Sequence, residues 1–295
     1  LNTTNIAALS SVQVQALTTR QIIGLTTAQI SALNTTTLQA LTTKQIAALE
    51  TEDVSLLGSS KVAFLSSAQL RALNTAQVAQ LTSAQLIGLG STLLSQLQAS
   101  QLTGLSTGDL NGLASASLGA LTSAQIARLT TDQVVNLTTT ALSYLSTRGV
   151  SGLSTSQIVA MTTTQLKSLT STNVKVLSAE QLGAMETADL AVLGSKSLLT
   201  STQVRGLTTA QLVTLTTDAL ASLNTSAVAG LTTVQIVALT TTQAAGLTTT
   251  AVIALTTAQI AAMETVDVAS LNTTNIAALS SVQVQALTTR QIIGL

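Results

Sequence analysis

The residues best suited to chemistry are acidic and follow one pattern. Glu50 and Asp53, Glu186 and Asp189, and Glu264 and Asp267 stand three positions apart, and Glu52 adds a third carboxylate to the first pair. Hard cations such as calcium are held by several carboxylate and carbonyl oxygens, so Glu50, Glu52 and Asp53 are the candidate metal ligands. The competing reading is electrostatic: acids in the first turn of a helix are stabilised by the positive end of its dipole.

Other chemistry is sparse. The chain has no His and no Cys, which removes the commonest general base and metal ligand, thiol nucleophiles, thiolate metal sites and disulfides. The remaining Ser, Thr and Lys form no nucleophile–base pair that sequence can locate, so no catalytic residue is assigned and no enzyme is expected. Glycines such as Gly88 and Gly104 are isolated and belong to no phosphate-binding motif, and no cofactor is expected.

The 11 basic and 11 acidic side chains cancel. A neutral, thinly charged surface argues against electrostatic capture of nucleic acid or of an anionic membrane, both of which need basic clusters. Thr and Gln interrupt every apolar run before the roughly 18 residues that a membrane-spanning helix needs, so no membrane insertion is expected.

The elements that carry these residues are short repeats. With Leu1 as the first position 1, the chain reads as eight-residue units, and position 1 is Leu in 35 of 38 cases, the others being Met161, Met185 and Met263. Position 6 is Ile, Val or Leu in every unit except at Ala244, and position 5 is Gln in 20 of 37. Self-similarity of this kind sets the architecture before any other signal. A single unit, residues 193–198, has six residues; it either bends the array or is a tolerated deletion.

Residues 1–25 and 271–295 are identical. The offset of 270 residues marks a long block, 1–270, followed by the start of a second at 271–295, in one continuous solenoid. The lack of an initiator Met, signal peptide or stop-transfer segment suits an internal segment of a longer array.

Unit 255–262, LTTAQIAA, shows how an octad folds. Thr256 as N-cap can accept from the N–H of position 5, while Gln259 reaches back to the N-cap N–H, which is the capping box. Leu255 and Ile260 then stand at the two positions of a hydrophobic staple. On a strand Ile260 and the next position 1, Met263, three residues on, would point to opposite faces, whereas helical residues three apart share a face. The expected fold is therefore all-α, a solenoid with one helix of about one and a half turns per octad. A β-solenoid, favoured by the frequent Thr, Val and Ile, is the alternative.

Ala262 at position 8 is expected to let a neighbouring backbone approach closely. Charged residues at positions 4 and 7, such as Arg20, Lys44, Asp132, Lys167, Lys175 and Arg205, are expected to face water. The paired Thr at positions 2 and 3 serve capping and do not form the alternating ladder of a water-ordering surface. A lone octad buries too little to fold, so stability must come from stacked units.

Units such as 255–263, 41–49 and 81–89 resemble the octapeptide tracts of very large, low-complexity bacterial surface, adhesin-like or secreted proteins. The resemblance covers the whole chain and implies an extracellular or cell-surface location and a structural role in a filament, sheath or adhesin stalk. Copies of the same chain are the expected partner. A solenoid binding module, presenting side chains at positions 4 and 7 to a ligand, is the alternative function.

Overall fold

A computed structural model describes residues 2–194 and 199–295. Residues 195–198, the greater part of the six-residue unit 193–198, lie outside the described residues. Among the described residues there are 34 α-helices, one 3-10 helix and no strands. The chain is an all-α solenoid of very short helices, and the β-solenoid alternative is set aside.

Each octad folds as its sequence dictates. In helix Thr257–Ala262 the N-cap Thr256 is extended, with φ −72° and ψ 160°, and Met263 closing the unit is extended again, with φ −58° and ψ 143°. Positions 1 and 2 thus form a two-residue corner between helices. The position 1 N–H donates back to the position 6 carbonyl, as from Met263 to Ile260 at 3.3 Å, which turns both apolar side chains to the same side. Leu255, Ile260 and Met263 are 4%, 1% and 4% exposed.

Some octads depart from this plan, and helix Thr187–Gly194 continues through Leu193 at position 1. Ser83–Leu94 runs on through a second unit and breaks at Gly90, where φ is +63°. Only glycine adopts that conformation without strain. At Gln101–Gly104 the unit forms a 3-10 helix whose N-cap, Ser100, makes no side-chain cap bond.

The chain comprises two compact units, Leu1–Leu153 and Ser154–Leu295. In the first, Thr43–Ala47 packs on Ser67–Ala72 and Ser59–Val62 on Ser83–Leu94, each against the third helix along. The second repeats the rule, with Thr257–Ala262 packed on both Thr233–Val237 and Ser281–Ala286. Within each unit, side chains from position 5 reach carbonyls 28 to 31 residues back, as from Gln45 and from Gln259. One coil of the solenoid therefore holds between three octads and four. Its interior is filled by Leu at position 1 and by Ile, Val or Leu at position 6, such as Leu70, Val78, Val204 and Ile236.

Candidate functional site

Among the described residues the commonest polar side chain in the interior is Gln at position 5. Gln45 is 2% exposed. Its Oε1 accepts the Thr42 backbone N–H at 2.7 Å, and its own N–H donates to Thr42 Oγ1 at 3.3 Å, completing the capping box. Its Nε2 then donates to the carbonyls of Val14 and Leu17, both at 2.8 Å, on the preceding coil. The Leu17 carbonyl belongs to a corner residue, outside the helical bonding pattern. A buried carbonyl without a partner is costly, and the Gln amide supplies that partner.

The same clamp recurs through both units. Gln259 accepts from the Thr256 N–H at 2.7 Å and donates to the Val228 and Leu231 carbonyls at 2.9 and 2.7 Å. In turn the Leu255 carbonyl accepts from Gln283 at 2.8 Å and the Ile260 carbonyl from Gln291 at 2.9 Å. The five residues singled out in unit 255–262 are thus brought together: Leu255 and Ile260 in the core, Thr256 and Gln259 in the cap. Ala262 lines a shallow groove with Thr233, 29 residues earlier.

At that 29-residue step coils approach closely. A methyl group at Gly104 would overlap Thr75, at Gly152 the Ser123 backbone, and at Gly246 the Thr217 side chain. This contact with position 3 of an earlier octad accounts for the frequent Ala or Gly at position 8, although larger residues such as Phe64, Arg128 and Tyr144 also stand there.

Other donors substitute for Gln at position 5. Lys61 Nζ donates to the Ser31 carbonyl at 2.8 Å, and Asn275 Nδ2 to the Leu247 carbonyl at 2.8 Å. A second set of bonds runs forward from position 7: Gln39, Arg71 and Asn111 each donate to a carbonyl 25 residues ahead, at 2.9 to 3.1 Å. Charged residues at positions 4 and 7, including Arg20, Lys44, Asp132, Lys167, Lys175 and Arg205, are exposed.

The acidic candidates are divided by the fold. Glu50 and Glu52 are exposed, whereas Asp53 is 2% exposed. Among the described residues no three acidic side chains gather closely enough to hold a metal ion. Glu50 and Glu264 make no side-chain cap bond, and Asp53 Oδ2 and Asp267 Oδ1 are buried without a hydrogen-bond partner. Burial pushes the Asp53 carboxyl above the usual carboxylate range, and the Glu50 and Glu52 charges push the same way, against the Glu50 backbone N–H that donates to it. Burial likewise raises Asp267, with the Glu264 charge adding to it and a hydrogen bond from Thr241 opposing. Half-buried Asp109 and Asp189 instead accept from Ser83 Oγ at 3.1 Å and Thr163 Oγ1 at 2.8 Å, 26 residues back.

Sequence reasoning found the capping half of the Gln side chain and missed the inter-coil half. A signal was available. A capping box accepts Glu as readily as Gln, yet Glu occurs at no position 5 in the chain. Only a side chain with donors to spare can serve both octad and coil.

Stretches 1–27, 22–59, 102–139, 150–187 and 260–295 match the sequence profile described as the ALTTAQ repeat, together more than half of the chain. No curated protein matches the chain.

Proposed function

The chain belongs to the ALTTAQ repeat family, and on that premise we propose that it is a structural segment of a bacterial extracellular filament, sheath or adhesin stalk, packed against copies of itself. The observation that supports this reading is the position 5 clamp. Octad after octad with Gln at position 5 spends that buried side chain on the coil before it, as Gln69 does on Leu38 and Leu41 at 3.0 and 2.8 Å. Such an array grows by adding units, because every new coil presents the same carbonyls to the next. Commitment of these buried side chains to cohesion supports a mechanical role.

Zero net charge supports a partner of the chain's own kind over nucleic acid. Among the described residues no helix is long and apolar enough to cross a membrane. Negative-stain imaging and sedimentation of the purified 295-residue chain test the proposal. Elongated particles that associate with rising concentration are expected, and compact particles that stay monomeric would overturn it.

A second reading rests on exposed apolar side chains at positions 4 and 7. Val234 and Val266 are 67% and 58% exposed, and Val234 and Val237 line an open groove with Thr233 and Ala262. A binding module would use such a face. Replacing Val234 and Val237 by Ser distinguishes the two: loss of self-association assigns the face to packing between copies, and unchanged association leaves it to a different ligand.

A further inference from the structure

Position 5 is occupied by a donor wherever a buried side chain there reaches the preceding coil, with Gln45, Gln85, Gln235 and Gln259 as examples. Asp53 and Asp267 invert that rule. Both are buried, 2% and 1% exposed, and each keeps one carboxylate oxygen without a partner. Gln at this position donates to carbonyls 28 and 31 residues back. Asn275, the same size as Asp, donates at this position to the Leu247 carbonyl 28 residues back, and that register sets the unpartnered Asp53 and Asp267 oxygens toward the Leu25 and Leu239 carbonyls. On that register one oxygen of each aspartate meets an acceptor and no donor, while Asp267 also accepts from the Thr241 hydroxyl.

We propose that Asp53 and Asp267 are proton-operated latches between coils: protonated, each donates its O–H to a backbone carbonyl of the preceding coil in place of the Gln amide, and ionised, each releases that coil. A carboxylic acid carries one donor and an ionised carboxylate carries none. Protonation thus turns a repulsive contact into a hydrogen bond.

No counter-ion competes for the role. The helices packed on Thr51–Leu56 are Thr27–Ala32 and Thr75–Ala79, and Ser83–Leu94 reaches it through Gln85. None of the three carries a titratable side chain. The charged groups near Asp53 are Glu50 and Glu52, which favour its protonated form. Thr265–Ser270 packs on Thr241–Ala245, which has no titratable side chain, and on Thr289–Ile293, whose Arg290 is exposed. Glu264 again favours the protonated form, and the Thr241 hydroxyl bonds to Asp267 without supplying charge. A calcium ion would need more oxygens than one carboxylate oxygen and one carbonyl provide, so the proton is the ligand that fits.

The sign follows from linkage. A carboxyl raised in the folded state stabilises the fold below its unfolded value, and that contribution is lost as pH rises through the raised value. The test compares melting temperature from acid to neutral pH for the full chain and for the double variant Asp53→Gln/Asp267→Gln. The full chain is expected to lose melting temperature as pH rises above the ordinary carboxylate range, and the variant, with amide donors in both seams, to lose that slope and melt higher at neutral pH. Parallel pH profiles would overturn the proposal. Side-chain carbon-13 titration of the unaltered chain gives a reading that does not depend on the variant folding. Two aspartates should titrate above the ordinary range, and a full set titrating at or below it would also overturn the proposal.

Discussion

The side-chain amide of Gln45 donates to the backbone carbonyl of Leu17 at 2.8 Å, across 28 residues of sequence. Its carbonyl oxygen meanwhile accepts the Thr42 N–H of its own octad. One amide thereby starts a helix and fastens it to the coil before. The two roles separate by substitution. Gln45→Glu keeps the acceptor and loses the donor, so it should leave the helix start intact while presenting negative charge to two carbonyls. Leaving buried groups unsatisfied costs about 1–3 kcal/mol each, whereas Thr42→Ala removes a cap worth about 1 kcal/mol. Chemical denaturation should therefore rank Gln45→Glu below Thr42→Ala. The reverse order would assign Gln45 to capping alone.

The contact between position 8 and position 3 makes glycines unequal. A methyl group at Gly152 would overlap the Ser123 backbone, and one at Gly104 would overlap Thr75, while at Gly112 it meets nothing within 4 Å. Gly152→Ala and Gly104→Ala should each cost about 1–3 kcal/mol, as overpacked substitutions do. Gly112→Ala should be neutral or stabilising by up to about 1 kcal/mol, because Ala is the better helix former. Thermal melts of the three variants check this, and equal effects at all three sites would mean the coils can shift apart freely.

Gly90 is constrained by its own backbone. Its φ of +63° and ψ of 179° lie in a region open essentially to glycine alone, where another residue costs about 1–3 kcal/mol. A Cβ there would touch nothing, so Gly90→Ala tests conformation without a packing term. A lowered melting point with unchanged helical circular dichroism is expected.

The helix starts were legible because capping is local. Thr256, Gln259, Leu255 and Ile260 fall within six residues, and the signature that joins them needs no knowledge of the coil. The clamp was not legible in the octad alignment, because its 28- and 31-residue steps are not multiples of eight. For the same reason Asp53 read as a candidate metal ligand grouped with Glu50 and Glu52, whereas the fold buries it apart from them. The octad showed that position 4 faces water, but nothing inside it reports that position 5 lies under the neighbouring coil.

The register is counted in units and not in residues, which makes an unusual demand on deletions. Across the six-residue unit 193–198, Gln203 reaches the Val174 and Leu177 carbonyls over 29 and 26 residues. Elsewhere the same two bonds span 31 and 28, as from Gln235 to Val204 and Leu207. Both steps shorten by the two residues that the unit lacks, and the partners remain positions 6 and 1. Those flanking bonds favour a tolerated deletion at 193–198. Removing the whole octad 233–240 should likewise let each later Gln find a position 6 and a position 1 carbonyl beneath it. Removing only residues 233–236 deletes Gln235 and Ile236, a buried donor and a buried core side chain, and leaves a unit that cannot build a helix. Losing a core Ile alone costs about 2–5 kcal/mol. The four-residue deletion should therefore melt at a lower temperature than the eight-residue one, although it removes half as much chain. If the longer deletion proves the more damaging, the coils are held by contacts specific to particular octads and not by the repeated clamp.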